Sequence, residues 1–186
     1  AVPLDAKLDP KAIKAALQAD QGIDVALFGR MVANAADLNV DAACQVAHAL
    51  STHAVATEFD YYTAVDDEAP ADETGAGMIG TIEFDSATLY RYATVNVTGL
   101  RANLGDDAAT LRAVDAFLRA FVTSMPTGTQ NTLANRPAPD AAGVMAREDQ
   151  PVNLVGAFED AVVARGGYVE ASAQALADHA VSLSAA

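Results

Sequence analysis

The chain has 186 residues, 52% of them hydrophobic, with one cysteine, no tryptophan and a net charge of −14 at pH 7. This length is enough for one domain with a hydrophobic core, and a lone cysteine excludes an internal disulfide bond. The few lysines lie near the start of the chain and the arginines are scattered, so the composition alone argues against a nucleic-acid ligand, whose affinity depends on Lys and Arg.

The apolar segments and the N-terminus predict a protein without a membrane partner. No apolar run approaches the roughly 20 residues that span a bilayer. The opening AVPLDAKLDP lacks the basic and apolar regions of a signal peptide, and a single cysteine is typical of a reducing compartment. We therefore expect a cytoplasmic protein. Because the chain begins at Ala1, in the approach to a helix, we also expect it to be a piece of a longer chain.

The first part of the chain predicts a helix, a strand and a second helix. Asp9 precedes Pro10, which is a signal for a helix start, and the helical pattern continues to about Asp20. The short apolar run IDVALFGR (23–30) predicts a buried strand, and MVANAADLN predicts a loop. In VDAACQVAHAL (40–50), small apolar residues recur at helical spacing, which predicts a helix that packs closely on a sheet.

The middle of the chain predicts strands on both sides of a long loop. Residues 52–65 and 80–97 have the composition and alternation of strands, whereas residues 66–79 follow no regular pattern. Because Tyr61 and Tyr62 are adjacent, their side chains point to opposite faces of the predicted strand.

Two interpretations of this tyrosine pair remain open. An aromatic ring on a strand can stack on a single-stranded base. The same ring can instead pair across strands with Tyr90 or Tyr92.

The remainder of the chain predicts two helices separated by irregular segments. Residues 107–124 carry the clearest amphipathic stripe of the chain. Its members are Leu111, Val114, Phe117, Leu118, Phe121 and Val122. The polar segment 127–141 predicts turns, VMARED (144–149) predicts a strand, and residues 170–182 predict a final helix. This order of elements predicts one α+β domain over residues 1–186.

Acidic residues after the first strand of the pair support an alternative hypothesis, a metal-dependent nuclease. Asp66 and Asp67 stand where such enzymes place carboxylates that hold Mg²⁺ and phosphate, and Glu83 would complete the set. Adjacent residues on a strand point to opposite faces, however, and no third ligand lies nearby in sequence. The pattern therefore favours a solvated acidic loop.

No residue pattern indicates a metal, a cofactor or a catalytic nucleophile. Cys44 and His48 have the spacing of two zinc ligands on a helix, but a zinc site needs three or four ligands and no matching pair follows. The motifs GxSxG, GxxxxGK[ST] and GxGxxG do not occur. We therefore expect a protein that is not an enzyme and that holds no cofactor.

Several segments together resemble one protein family. They are LFGRM, VAHALSTH, FDYYTAVDD, GTIEFDSATLYRYATVNV, NLG and MPTGTQNTLANRP. Their order and intervals are similar to those of the CasC family, the CRISPR-associated backbone subunit of the type I-E Cascade complex, from about Gly22 to the last helix. The resemblance implies an RRM-like palm, incomplete here because the family's N-terminal portion is missing, helical finger elements, and a long β-hairpin thumb at about residues 52–94.

The resemblance also implies a function. Family members line up along a CRISPR RNA and hold its backbone without cutting it, and each thumb folds over the RNA bound by the neighbouring copy. The partners so implied are CRISPR RNA, other copies of the chain, other Cascade subunits and, through the guide, target DNA. A third hypothesis is a protein interaction domain whose arm, with residues 66–79 at its tip, swaps between subunits.

The resemblance assigns RNA contacts to seven residues. They are Arg30, Met31, Tyr62, Ile79, Thr127, Gln130 and Asn131. Met31 stands where relatives press a methionine against the RNA, and Tyr62 and Ile79 stand at the aromatic and apolar positions that wedge at a kinked nucleotide. The polar groups of TGTQNT would contact phosphate or ribose, which carries no sequence information. One departure is Thr129, where relatives often have lysine.

Overall fold

The structure is a computed structural model that describes residues 9–19, 21–68, 70, 77–128 and 130–184. The chain folds into two compact units, each made of two stretches that are distant in sequence. Unit 1 consists of Ala1–Ala47 and Tyr92–Pro151, and unit 2 consists of His48–Arg91 and Val152–Ala186. The assignment of residues 1–186 to a single domain stays a prediction.

Helices and short antiparallel strands make up both units. In chain order the elements are α1 (Pro10–Ala19), α2 (Ile23–Phe28), a 3₁₀-helix (Ala36–Leu38), β1 (Cys44–Val46), β2 (Leu50–Ser51), β3 (Glu58–Ala64), β4 (Met78–Phe84), β5 (Leu89–Tyr90), β6 (Ala93–Val95), α3 (Val97–Leu104), α4 (Asp107–Thr123), α5 (Gln130–Leu133), a second 3₁₀-helix (Leu154–Phe158) and α6 (Val169–Ser184). The strands form three two-stranded ladders, β1–β6, β2–β5 and β3–β4. This mixture confirms the α+β class, whereas the RRM-like palm and the thumb stay predictions.

Three helices that were predicted from the sequence are confirmed: α1, α4 and α6. In α1, the backbone N–H of Lys11 donates to the Asp9 carboxylate at 3.1 Å, as a capping residue should. Helix α4 begins at Asp107 after the cap Asp106, whose carboxylate accepts from the backbone N–H of Ala109. Helix α6 has about the predicted bounds. Helix α3 was missed: Asn96 caps its first turn.

The predicted strand IDVALFGR is wrong, because Ile23–Phe28 is the helix α2. A six-residue apolar run fits either structure, and periodicity cannot separate the two. Gly29, interpreted as the end of a strand, ends the helix instead: at φ +80° its N–H donates to Val25 O at 2.9 Å. Ala26 and Leu27 are buried on the inner side of this helix.

The helix predicted over residues 40–50 is also wrong, since this segment contains the strands β1 and β2. Cys44 pairs with Val95 and Val46 with Ala93, about fifty positions along the chain. Burial of Ala43 and Cys44 accompanies this pairing, and tertiary context of this kind overrides a weak local preference.

The strand pair in the middle of the chain is confirmed with different bounds. β3 pairs with β4 from Glu58 opposite Phe84 to Ala64 opposite Met78. Met78 and Ile79, predicted in the loop, therefore belong to the strand, while residues 69 and 71–76 of that loop lie outside the described residues. The predicted strand over 80–97 is divided into β4, β5 and β6.

The VMARED prediction is wrong, because residues 144–149 form no strand. Val144 and Met145 are exposed, so the segment gains no burial that would favour strand pairing. The predicted turn segment 127–141 contains one short helix, α5.

The core of unit 1 is apolar. Its buried hydrophobic residues are Ala26, Leu27, Ala43, Cys44, Leu100, Ala113 and Phe117, and the polar Thr110 of the same unit is also buried. From the predicted α4 stripe, Phe117 lies in this core and its ring contacts Phe28 and Phe121 at centroid distances of 6.4 and 5.9 Å. Leu111, from the same stripe, is 71% exposed, so the buried face of α4 is narrower than the periodicity indicated.

The interior of unit 2 is polar. Its buried side chains, among those that the structure describes, are Thr52, His53 and Ser172. The hydroxyls of Thr52 and Ser172 lie 2.7 Å apart, and the His53 ring stacks on Tyr168 with 3.7 Å between centroids. These contacts join the stretch before the β3–β4 hairpin to α6 and to Tyr168, the residue directly before that helix.

Among the described helices, none is both long enough and apolar enough to cross a membrane.

Candidate functional site

Arg30 and Met31 follow α2 and its C-cap residue, Gly29. The backbone of Arg30 pairs with that of Val40 through two hydrogen bonds of 2.9 Å. Met31 is 86% exposed. Such an exposed methionine is an apolar group available to a partner.

The guanidinium of Arg30 is directed at the protein. Its Nε donates to Leu38 O at 2.8 Å and its Nη2 to Leu17 O at 3.4 Å. Arg30 is also only partly exposed. These contacts use two of the five N–H donors of the guanidinium for carbonyl oxygens of the protein itself.

The predicted residues Thr127, Gln130 and Asn131 lie after α4: Thr127 precedes α5, and Gln130 and Asn131 are its first two residues. The backbone N–H of Gln130 donates to Thr127 O at 3.4 Å, and the side chains of Thr127 and Asn131 are exposed. Gln130 Oε1 accepts from Arg136 Nη2. Thr129 lies outside the described residues.

Arg136 is a residue that sequence reasoning missed. It lies in the same motif, MPTGTQNTLANRP, but the resemblance assigns it no RNA contact. Its contact with Gln130 fixes the orientation of that amide, which leaves the amide nitrogen as the group able to donate outward.

Tyr62 lies across the hairpin from Gly80. A Cβ on Gly80 would lie 2.6 Å from the Tyr62 hydroxyl oxygen and 2.7 Å from ring carbon Cζ. The Tyr62 ring therefore lies over Gly80, in the space that the side chain of a larger residue at position 80 would need. Covering a strand glycine with a cross-strand aromatic ring stabilises the pair. Pairing of Tyr62 with Tyr90 or Tyr92 is excluded by this register.

Tyr62 and Ile79 lie on opposite faces of the hairpin. Directly opposed residues of an antiparallel pair share a face, and Ile79 is opposite Thr63, the neighbour of Tyr62. Tyr61 shares the face of Ile79. The exposed fractions are 63% for Tyr61, 37% for Tyr62 and 59% for Ile79, so both faces present apolar surface. The role of Tyr61 was left open by the sequence.

The hairpin carries negative charge only. The sequence has no lysine or arginine between Arg30 and Arg91, and Glu58, Asp60 and Glu83 lie on the two strands. Ion pairs with phosphate groups are therefore unavailable to the hairpin, and its apolar side chains are the groups that can bind.

The carboxylates of the nuclease hypothesis do not converge. Glu83 is opposite Phe59, and Ala64, at the other end of β3, lies about 16 Å farther along at about 3.3 Å per residue. Asp66 follows beyond that end, and its Oδ1 accepts from the backbone N–H of Glu68 at 3.0 Å. Glu83 is therefore too far from Asp66 to share one metal ion.

Zinc binding finds no support in the described residues either. They contain no group of three or more His, Cys, Asp or Glu side chains that could hold a metal ion. Cys44 is buried in the apolar core of unit 1, and this burial raises the pKa of its thiol. The helical spacing assumed for Cys44 and His48 does not exist, because Cys44 lies in β1.

The structure divides the seven predicted residues between the two units. Unit 1 contains Arg30, Met31, Thr127, Gln130 and Asn131, and unit 2 contains Tyr62 and Ile79. Each unit thus offers its own candidate contact surface. Unit 1 offers an exposed methionine and polar side chains, and unit 2 offers a hairpin with apolar side chains on both faces.

Comparison with known proteins identifies similar chains. Residues 3–186 match the family described as CT1975-like protein. A chain of a "CRISPR RNA-guided surveillance complex, pre-nicking" is 35% identical with a TM-score of 0.85, and the match covers 94% of this chain and 47% of that one. A chain of a "CRISPR RNA-guided surveillance complex" is 37% identical with a TM-score of 0.78, covering 93% of this chain and 67% of that one. Among curated proteins, no sequence matches.

Proposed function

The chain belongs to the CT1975-like family, and on this premise we propose that it is a non-catalytic backbone subunit that binds CRISPR RNA in a type I-E Cascade complex, as CasC does. Similarity to chains of two CRISPR RNA-guided surveillance complexes supports this proposal. The chain spans about half (47%) of the first of these and about two thirds (67%) of the second.

The observation that carries the proposal is the β3–β4 hairpin. All seven residues of β3 are exposed, and in the part of the chain that the structure describes no third strand pairs with either strand. A two-stranded hairpin with little burial is marginally stable in water. Its exposed apolar groups gain most if another molecule covers them.

The placement of Tyr62 and Ile79 suits a wedge between two bases. A group inserted at a kink must replace the stacking contacts of both flanking bases, one on each side. The two side chains lie on opposite faces of the hairpin, so each can contact one base. Stacking and apolar contact read no sequence, which suits a protein that must accept any guide.

The proposed partners follow from the same role. Unit 1 would hold the RNA backbone through Met31, Thr127 and Asn131, while the hairpin would reach RNA held by a second copy. Copies would then line up along one RNA, beside other Cascade subunits, and leave the guide free to pair with target DNA. The role requires no cofactor, metal or membrane and places the protein in the cytoplasm.

RNA binding and assembly by the wild-type chain and two variants test the proposal. Ile79→Ala removes an exposed hairpin side chain, and Val163→Ala removes one that is 92% exposed elsewhere in unit 2. Fluorescence anisotropy with single-stranded RNA at low salt measures binding, and sedimentation with the same RNA counts bound copies. We expect Ile79→Ala to lower multi-copy assembly about tenfold, the loss of about one base contact, and Val163→Ala to leave it unchanged. Equal behaviour of the two variants, or magnesium-dependent cleavage of the RNA, would contradict the proposal.

One observation favours a second candidate, the arm-swapping interaction domain. Both outer edges of the β3–β4 pair lack a strand partner within the described residues, and such edges can pair with another chain. Sedimentation without RNA distinguishes this candidate, because it requires self-association that deletion of residues 66–79 abolishes.

A further inference from the structure

Met31 combines an exposed side chain with a backbone that is held on both sides. Its side chain is 86% exposed. Before it, Arg30 is paired with Val40 through both backbone groups, and after it the N–H of Val32 donates to the side-chain oxygen of Asn39 at 2.7 Å. Exposed loop residues are usually free to move, so this double restraint requires an explanation.

The side chain of Arg30 forms hydrogen bonds to the far end of the same loop and to helix α1. Its donors reach Leu38 O, at the far end of the loop, and Leu17 O in helix α1. A second link between loop and helix is the ion pair of Lys14 with Asp37. The loop that begins with Met31 is therefore tied both to its own end and to α1.

The base of the loop is fixed to the core of unit 1. The side-chain nitrogen of Asn103 donates to Ala26 O at 3.0 Å and to Asp41 O at 2.9 Å, which joins the chain before and after the loop to helix α3. Gly29 packs so closely that a Cβ there would lie 2.8 Å from Val40 O.

From this geometry we infer that Arg30, assisted by Asn39, is a positioning residue that holds Met31 ready to pack against RNA, and that it is not a phosphate ligand. The inference rests on the proposed RNA-binding function. Fixing the backbone in advance lowers the entropy that binding would otherwise cost. The charge of Arg30 serves this purpose because charged donors bind backbone carbonyls more strongly than neutral donors.

The salt dependence of RNA affinity separates the two roles. Loss of one phosphate contact to single-stranded RNA reduces the slope of log affinity against log salt by about 0.7. Loss of a positioning group lowers affinity at every salt concentration without changing that slope. The variants are Arg30→Met, Asn39→Ala and Met31→Ala, with Arg112→Met, an exposed arginine on α4, as the control for loss of one charge.

We expect Arg30→Met and Asn39→Ala each to weaken binding of single-stranded RNA about tenfold, the scale of one stacking contact. The slope should match that of the Arg112→Met control. Because Arg30 acts through Met31, the double variant Arg30→Met/Met31→Ala should bind as Met31→Ala alone. A slope reduced by about 0.7 relative to the control, or additive losses in the double variant, would overturn the inference and leave the proposed function standing.

Hydrogen exchange of the RNA-free chain tests the positioning independently. The amides of Val32 and Val40 should exchange at least tenfold faster in Arg30→Met and in Asn39→Ala than in the wild type, while Met31→Ala should not change them. Unchanged exchange in both variants would overturn the positioning role. A wild-type chain that binds no RNA but shows the expected exchange would contradict the proposed function and keep the structural part of the inference.

Discussion

The interior of unit 1 and the interior of unit 2 are stabilised by different kinds of interaction. Unit 1 has seven buried hydrophobic residues packed as one cluster, whereas the interior of unit 2 consists of Thr52, His53 and Ser172 among the side chains that the structure describes. Apolar packing is strong but non-directional. Hydrogen bonds contribute less net free energy, but they require specific distances and angles. Unit 1 is thus stabilised mainly by apolar packing, and unit 2 by contacts that fix the orientation of the segments they join.

The hydrogen bonds of unit 2 join segments that are remote in sequence. Thr52 N–H and its hydroxyl both donate to Thr88 O, at 3.0 and 3.3 Å, and Thr52 O accepts from Val162 N–H. His53 Nε2 accepts from Thr88 N–H at 3.1 Å, so that nitrogen carries no proton in this arrangement. Both ends of the hairpin are therefore attached to one directional network.

The largest expected effect tests the apolar core of unit 1. Leu100 is fully buried, at 0% exposure, and Leu111 on α4 is 71% exposed. We expect Leu100→Ala to lower the free energy of unfolding by about 2–5 kcal/mol, through lost burial and the cavity left behind, and Leu111→Ala to change it by less than about 0.5 kcal/mol. Chemical denaturation followed by circular dichroism measures both free energies. Similar values for the two variants would show that burial of Leu100 does not stabilise unit 1.

The next effect tests the polar interior of unit 2. Thr52→Val keeps the shape of the side chain but leaves the buried Ser172 hydroxyl without its partner, so we expect a loss of about 1–3 kcal/mol. Adding Ser172→Ala should recover most of that loss, because replacing both partners is nearly neutral. Denaturation and hydrogen exchange at Val162 N–H measure the change. Thr63→Val, on the exposed hairpin, is the control, and a neutral Thr52→Val would show that packing holds unit 2.

A smaller effect is expected on the hairpin itself. Tyr62→Ala removes the ring that covers Gly80 and should cost about 0.5–1 kcal/mol of local stability, the scale of one cross-strand pair. Tyr61→Ala, which removes a more exposed ring, should cost less. Hydrogen exchange of the β3 and β4 amides measures this difference. Equal protection in the two variants would show that the Tyr62–Gly80 contact does not stabilise the hairpin.

The smallest effect concerns the exposed segment at the end of unit 1. Arg147 holds the pKa of the Asp149 carboxyl at about 2, through a side-chain hydrogen bond. A carboxyl with a lowered pKa contributes stability above its unfolded pKa of about 4, and that contribution disappears as the pH falls through about 2. Because the pair is exposed, we expect no measurable change in global unfolding. An NMR titration of Asp149 should show its pKa rise in Arg147→Gln, and an unchanged pKa would exclude the pairing.

Long periodic elements were predictable from the sequence, and short ones were not. Helix α4 repeats its apolar spacing over 17 residues, so single residues that depart from the spacing do not hide the helical pattern. The segments 23–30 and 40–50 are short and rich in small residues that fit a helix or a strand equally well. Their actual structures depend on pairing with β6 and on burial against α3 and α4, which no local pattern contains.

The candidate site was predictable in composition but not in geometry. The motifs located Met31, Tyr62 and Ile79, and all three are exposed. Arg30 donates to carbonyl oxygens of residues that lie 8 and 13 positions from it in the sequence. The motif around Arg30 does not contain these partners. The faces of the hairpin depend on a register that a shift of one residue would reverse.

The acidic residues of the hairpin affect the tendency of its exposed strand edges to pair with another chain. Exposed strand edges flanked by Phe59, Tyr61 and Ile79 would ordinarily promote stacking of one chain on another. Glu58, Asp60 and Glu83 lie on the same strands, so two hairpins brought edge to edge repel each other, as gatekeeper charges do. The carboxylates that repel phosphate groups therefore also oppose edge-to-edge association of two chains, and this repulsion weakens as salt shortens the range of the charges.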